Sequence, residues 1–452
     1  MSGLHEVEAD VLARLALAIG APVERLERLS GGASRETWAF TAGGRELILR
    51  RDPPGRLGDF GSMRLEAAAI SACAAAGLAV PEVVLVDDGD RLGTPGLVMS
   101  RVAGETMARR ILREPGLAAG RAVLVGQLAS FLAGLHRLEV ETVPGLGATD
   151  PLVYVTEMYD EVDDVSPTFD AALRWLERHR PDPAGAAIVH GDFRLGNVIV
   201  AEDGLRAVLD WELVHVGDPL EDLAWLCVKA WRFGARPEAA GVGSVEELLS
   251  AYEAAGGQAV DRRAFHWWLV EKTLQWGTIC MKQAATHLTG AARSVELAAI
   301  GRRVAEQEWD LLELLTADAS PSPGEPRRSG PARGDGPAGL YGRPTAGELL
   351  EAVEEFLAGA VSESTEGQVR FHAKVAANAL RIVGRQLEAG RPPEVRAHDG
   401  LEALGVTSFA NLSAAIRAGD FDDREAELLP FLWSSVADRL AVANPRHAGE
   451  KG

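Results

Sequence analysis

The chain has 452 residues, enough for two or three domains with proper cores, and its 47% hydrophobic and 25% charged content is that of an ordinary globular protein. A formal charge of -20 argues against a nucleic-acid partner, which demands basic faces, and no uninterrupted apolar run reaches the length of a membrane span. Cys73, Cys227 and Cys280 are odd in number and far apart, which suits small buried hydrophobes in a reducing, cytoplasmic setting rather than disulfides or a zinc site.

Glu6, Glu8 and Asp10 lie where a leader would be basic or apolar, so no cleavage is expected. Apolar residues at helical spacing predict a helix over 4–19, closed by Pro22. The small-residue turn Ser30-Gly31-Gly32-Ala33-Ser34 then opens on a strand at Thr37-Trp38-Ala39-Phe40. Gly43-Gly44 turns the chain into a second strand, Glu46-Leu47-Ile48-Leu49-Arg50. Helical periodicity returns over 63–76 and is ended by Gly77 and Pro81, ahead of apolar strands at 83–86 and 96–102. Residues 1–103 therefore read as a small strand-rich lobe, and 104–316 as a mostly helical one interrupted by a β region at 187–211. Pro321, Pro323, Pro326, Pro331 and Pro337 among glycines and charges make 317–344 a linker. Thr345 and Glu348 form a capping-box pair that opens a separate all-α domain over 345–452, with helices to about Ala443. That domain shows no constellation for chemistry and is expected to fold by itself and to contact a protein partner or a second copy of the chain.

The strongest chemical signal is His190-Gly191-Asp192-Phe193-Arg194-Leu195-Gly196-Asn197, followed by an apolar stretch, an Asp203-Gly204 turn and Ala207-Val208-Leu209-Asp210. Antiparallel strands at 198–201 and 205–209 would set Asn197 beside Asp210, two oxygen ligands for a hard cation such as Mg2+. Asp192, five residues earlier, stands where kinases place the residue that accepts the substrate's proton. Asp or Asn alone would more often serve a turn, but three at this spacing around a hairpin point to phosphoryl transfer from ATP. His190 reads as structural. Arg194 reads either as a cation directed at the γ-phosphate or as a loop salt bridge.

The run HGDFRLGN, then VLDWE and GDPLEDLAWL, resembles the aminoglycoside phosphotransferase family, a relative of the protein kinases. The likeness is to the bacterial branch similar to the kinase-like part of multidomain acyl-CoA dehydrogenases, over roughly the first two-thirds of the chain. It implies an α+β, bilobal protein-kinase-like fold, with Asp192 as catalytic base, Asn197 and Asp210 on magnesium, and Asp218 bracing the catalytic loop. Arg50 matches the phosphate-gripping lysine of kinases, a departure in type, and Glu66 matches its glutamate partner. A plain strand-end role for Arg50 stays open. Ser30 to Ser34 would approach the phosphates, and Met99, Ser100 and Val102 fall in the segment that would meet adenine. The implied activity is ATP- and Mg2+-dependent transfer to a hydroxyl of a small molecule, such as a hydroxyacyl-CoA, an amino alcohol or an aminoglycoside. The alternative is a catalytically silent nucleotide-binding scaffold acting through the C-terminal helices. Trp231, Arg232, Trp267, Trp268, Trp276 and Lys282 lie on helices that would wall an acceptor pocket, although such an aromatic stripe is more often core.

Overall fold

The paired glycines Gly43 and Gly44 both take positive φ, +59° and +76°, and fold the N-terminal strands back on each other. In this computed structural model residues 2–29, 35–53, 62–317 and 344–449 are described. The Ser30–Ser34 loop and nearly all of the expected linker lie outside them. In chain order the elements are α1 (Ser2–Ile19), β1 (Val23–Leu29), β2 (Glu36–Ala42), β3 (Arg45–Arg51), α2 (Met63–Ala75), β4 (Val83–Asp88) and β5 (Pro95–Ser100). Next come α3 (Ala108–Arg113), α4 (Ala118–Leu135), α5 (Pro151–Asp160), α6 (Pro167–Arg178), β6 (Ala187–Val189), β7 (Val198–Ala201), β8 (Gly204–Val208) and β9 (His215–Gly217). The rest is helical: α7 (Leu220–Cys227), α8 (Val245–Ala254), α9 (Arg262–Leu288), α10 (Val295–Gly301), α11 (Val304–Leu315), α12 (Ala346–Phe356), α13 (Ser362–Ser364), α14 (Gly367–Ala389), α15 (Pro392–Ala403), α16 (Phe409–Ala418) and α17 (Glu425–Ala443).

Contacts divide the chain into two compact units, residues 1–149 with 182–269 and residues 150–181 with 270–452. In the first, a five-stranded sheet of order β1-β2-β3-β5-β4 is antiparallel throughout. Trp38, Phe40, Leu47, Leu49 and Val98 form its core with Val11 and Leu15 of α1. The edge strand β1 is not foreshadowed by alternation, because Glu24, Arg25, Glu27 and Arg28 leave it little apolar pattern. Two short pairs, β6 with β9 and β7 with β8, carry the loops described below. Helix α4 packs on β8 and α8. With the turn before it, it forms a helix long and apolar enough to cross a membrane, yet Leu124, Leu128, Leu132 and Leu135 are buried in the protein core. The three cysteines are buried, and burial pushes each thiol up to about 12.

In the second unit, helices from both sides of the proline-rich stretch pack together. Leu412, Ile416, Leu428, Leu432, Val436 and Leu440 of α16 and α17 close around Trp309 and Leu312 of α11. Buried acids of α6 and α11 take the arginines that come with them: Arg417 Nε donates to Asp170, and Arg439 Nη1 donates to Glu308 at 2.8 Å. Arg174 of α6 reaches Asp422 through two donors at 2.9 and 2.6 Å. Within this unit the C-terminal helices α16 and α17 thus pack on α6 and α11, and the region after the expected linker is all-helical, as the sequence leads one to expect. The capping box at Thr345 and Glu348 is present, and α12 and α14 expose Leu349, Val353, Phe356, Val369 and Phe371.

Candidate active site

Strand β6 ends at Val189, and the next two residues, His190 and Gly191, are fixed from behind by Asp222 on the first turn of α7. Asp222 is fully buried; it accepts the His190 N–H at 2.7 Å, the Gly191 N–H at 3.0 Å and His136 Nε2 at 3.2 Å. Burial alone would raise its pKa, but the His136 hydrogen bond and the nearby imidazoles hold its carboxyl below the ordinary range. Gly191 has φ +81°, and a Cβ there would lie 2.5 Å from the Leu213 carbonyl oxygen, so the turn requires glycine. His190 is enclosed by Trp211 and Phe193; its Nε2 donates to Leu209 O at 2.9 Å and its Nδ1 accepts the Asp192 N–H at 3.2 Å. One tautomer satisfies both bonds, and the role is structural. Asp218 does not brace this loop. It accepts the Ala184 and Leu220 N–H groups at 2.8 and 2.9 Å, tying the approach to β6 and the start of α7. The two acids lie four residues apart at the start of one helix, and it is the second that meets the loop.

Three donors hold the Asp192 carboxylate. Oδ1 accepts from Trp225 Nε1 at 2.7 Å and Arg194 Nε at 2.9 Å, and Oδ2 accepts from Asn197 Nδ2 at 2.6 Å. Arg194 stacks over the Trp231 ring at 4.8 Å, so of the two roles left open for it the structure displays the loop salt bridge. Trp225 is absent from the sequence-based site, although its place three residues after Asp222 on α7 puts it one helical turn on.

The β7/β8 register pairs Val198 with Val208, and the Leu209 N–H donates to Asn197 O at 2.8 Å, which brings Asn197 and Asp210 to one end of the hairpin. Asp210 takes a left-handed φ of +66°, uncommon for a residue with a Cβ and of the kind that clusters at functional sites. Both line a cavity of about 650 Å³ shared with Arg50, Glu66, Met99, Ser100 and Val102. The Asn197 amide nitrogen is committed to Asp192, bonding its carbonyl at 2.9 Å as well as its carboxylate, which leaves Oδ1 as the oxygen donor. Among the described residues no group of three or more His, Cys, Asp or Glu forms a metal cage. Two oxygen donors suit an ion that shares its remaining positions with phosphates and water, as Mg2+ does.

Across the cavity Arg50 Nη1 donates to Glu66 and Nη2 donates to Asp210 Oδ1 at 2.6 Å. Burial would raise Asp210, but Arg50 beside it keeps its carboxyl below the usual range. Burial and the Asp210 charge push Glu212 above its own. Arg35, which sequence reasoning passed over, reaches Glu66 from the far side, and no local motif marks it. The Ser100 and Arg101 N–H groups are taken by the Glu82 and Glu46 carbonyls at 2.8 and 3.0 Å. Trp267, Trp268 and Trp276 are buried side chains, in keeping with the core alternative, and Lys282 pairs with Glu161 at 2.6 Å.

Residues 25–267 match the model of the phosphotransferase enzyme family (APH), and residues 363–447 match a domain of unknown function (DUF6285). The second match makes the C-terminal helices a recurring sequence module, although they share their core with α6 and α11. The chain is 32% identical over 244 residues to acyl-CoA dehydrogenase family member 11 of Homo sapiens, covering 49% of this chain and 31% of that protein. It is 30% identical over 220 residues to family member 10 of Mus musculus, covering 46% and 20%. The chain thus spans a third or less of these curated relatives. Among solved structures, a Ralstonia eutropha protein classed as an aminoglycoside phosphotransferase is similar at a TM-score of 0.54 and 20% identity, over 67% of this chain and 97% of that one. A thermostable aminoglycoside phosphotransferase APH(4)-Ia, in ternary complex with ADP and hygromycin B, gives 0.50 and 19%, over 69% and 100%. Both likenesses are of fold, and the fold is protein-kinase-like.

Proposed function

Because this chain belongs to the phosphotransferase enzyme family, we propose that it moves the γ-phosphoryl group of ATP to a hydroxyl of a small molecule, with Asp192 as the base. The observation that carries this reading is the Asp192 carboxylate, held by Trp225, Arg194 and Asn197 next to a cavity lined by Asn197 and Asp210. A carboxylate oriented by three donors can accept the acceptor's proton without searching for its geometry. Asn197 Oδ1 and Asp210 would hold Mg2+, which when bound neutralises the charge on the transferring phosphates. Arg50 offers a guanidinium to the phosphates, and backbone groups from Val102 onward are left for adenine once the Ser100 and Arg101 N–H groups are spent. The protein's part is positioning and charge neutralisation, which is most of what phosphoryl transfer requires.

The first acceptor class is a hydroxyacyl-CoA or a similar hydroxylated metabolite, in line with the acyl-CoA dehydrogenase relatives; amino alcohols and aminoglycosides are second. The silent-scaffold reading draws on one observation, that Arg50 replaces lysine and is engaged with both Glu66 and Asp210. The two readings separate in an ATP-turnover screen of the whole chain against hydroxylated acyl-CoAs, amino alcohols and aminoglycosides, with and without Mg2+. One class should stimulate ADP release, and Asp192→Asn should lower that rate by roughly 10²–10⁴-fold while still binding ATP. ATP binding without turnover under any acceptor favours the scaffold, and unchanged turnover in Asp192→Asn removes the base from Asp192.

A further inference from the structure

We propose that Arg35 is a positioning residue for the nucleotide grip: it holds Glu66 when Arg50 turns to the phosphates. The inference rests on the nucleotide reading above and deepens it. Glu66 is 1% exposed and receives a guanidinium on each carboxylate oxygen, Arg50 on Oε1 and Arg35 on Oε2. The two cations differ in what surrounds them. Arg50 lines the cavity and spans Glu66 and Asp210, so a phosphate entering there meets it directly. Arg35 has a side chain only 1% exposed and is enclosed by carboxylates: Glu66, Asp52 with Nε–Oδ1 of 3.2 Å, and Glu212 at 3.7 Å. It immediately precedes β2 and ties the start of that strand to α2, to the chain just after β3 and to the residues after β8.

The charge requirement follows from the burial of Glu66. If Arg50 gave up Glu66 to meet phosphate and no other cation were present, a buried carboxylate would be left uncompensated, a state costly enough to oppose binding. With Arg35 fixed on the second oxygen, Glu66 stays neutralised and Arg50 is released at small cost. A kinase-type lysine has to serve Glu and phosphates with one ammonium. Here two guanidiniums divide the work, which gives a physical account of an arginine at position 50.

The test is a double-mutant cycle read in ATP affinity, with thermal unfolding beside it, on the whole chain bearing Arg35→Gln, Glu66→Gln, both, or Arg50→Ala. Arg35→Gln should weaken ATP binding by about tenfold, because Glu66 then keeps Arg50 for itself. Adding Glu66→Gln should restore most of that affinity, since a neutral amide no longer retains Arg50, and a purely structural ion pair predicts no such rescue. Should Arg35→Gln fail to fold, the double variant, in which position 66 carries no buried charge, is compared with Glu66→Gln alone, which it should match. Wild-type affinity in Arg35→Gln, or an equal loss with Glu66 neutral, overturns the proposal. If Arg50→Ala binds ATP as the wild type does, the phosphate grip lies elsewhere and the nucleotide reading of Arg50 falls with it. A loss in Arg50→Ala but not in Arg35→Gln overturns the role of Arg35 alone.

Discussion

Replacing Asp222 with Asn keeps the shape of the side chain and removes its charge. The carboxylate accepts two backbone N–H groups, from His190 and Gly191, and His136 Nε2, all in a fully buried setting. An asparagine has one oxygen for these donors and turns an NH2 group toward at least one of them. Losing one charge-assisted hydrogen bond costs about 1.5–3 kcal/mol, and leaving a buried N–H without an acceptor costs about 1–3 kcal/mol. Together these predict a loss of about 3–5 kcal/mol, or roughly 10 °C in the melting temperature. The two N–H groups belong to the residues just before Asp192, so the carboxylate proposed as the base shifts as well. A displacement of about 1 Å is enough to lower kcat on the order of 100-fold. The carboxyl's folded pKa lies below its ordinary value, so its contribution is complete above the unfolded pKa of about 4 and is lost as the pH falls through the lower folded value. The melting deficit of Asp222→Asn should therefore hold across neutral pH and narrow only in strong acid. Thermal unfolding from pH 3 to 8, with acceptor-stimulated turnover at pH 7, measures both effects. Asp218→Asn, acting on Ala184 and Leu220, should cost less kcat than Asp222→Asn. Wild-type melting and turnover in Asp222→Asn would refute the brace, and a larger kcat loss in Asp218→Asn would return the role to Asp218.

Asp210→Ala should weaken binding of Mg2+-ATP far more than binding of metal-free ATP in paired calorimetric titrations, and equal losses would make Asp210 only a partner for Arg50. Glu212 has a raised folded pKa, so below its unfolded value of about 4.3 it is protonated in both states and contributes nothing. Above that value its ionisation disfavours the folded chain, so Glu212→Gln should melt higher than wild type at pH 7 and converge with it toward pH 4; a pH-independent difference would contradict this. A chain ending at Ala317 would expose Trp309 and Leu312 and strip Asp170 and Glu308 of Arg417 and Arg439. It should melt at lower temperature and aggregate, and an unchanged melting curve would show that the C-terminal helices fold independently of α6 and α11.

Much of the candidate site is legible because it is local. Asp192, Asn197 and Asp210 fall within one loop and one hairpin, and hairpin pairing is a short-range rule that places Asn197 near Asp210 from spacing alone. The N-terminal hairpin, α2 and the capping box at Thr345 were equally readable from glycines, periodicity and cap residues. Strand β1 was not, since an edge strand can carry charges on most positions.

The sequence by itself determined the family motif, the order of most N-terminal elements and which acids stand on the hairpin, because each depends on neighbours a few residues away. Only the tertiary structure decided that Asp222 rather than Asp218 reaches the loop after β6, since two acids one helical turn apart are equivalent until the helix is docked. It alone decided that Arg35 shares Glu66 with Arg50, and that α16 and α17 close on Trp309 and Leu312. Arg35 and Glu66 lie 31 positions apart, and α16 lies about 100 positions from Trp309 and Leu312. Ion pairs and apolar contacts at that range leave no periodicity in the sequence; they are fixed by burial, where a carboxylate without its cation or an indole left in water costs too much to persist.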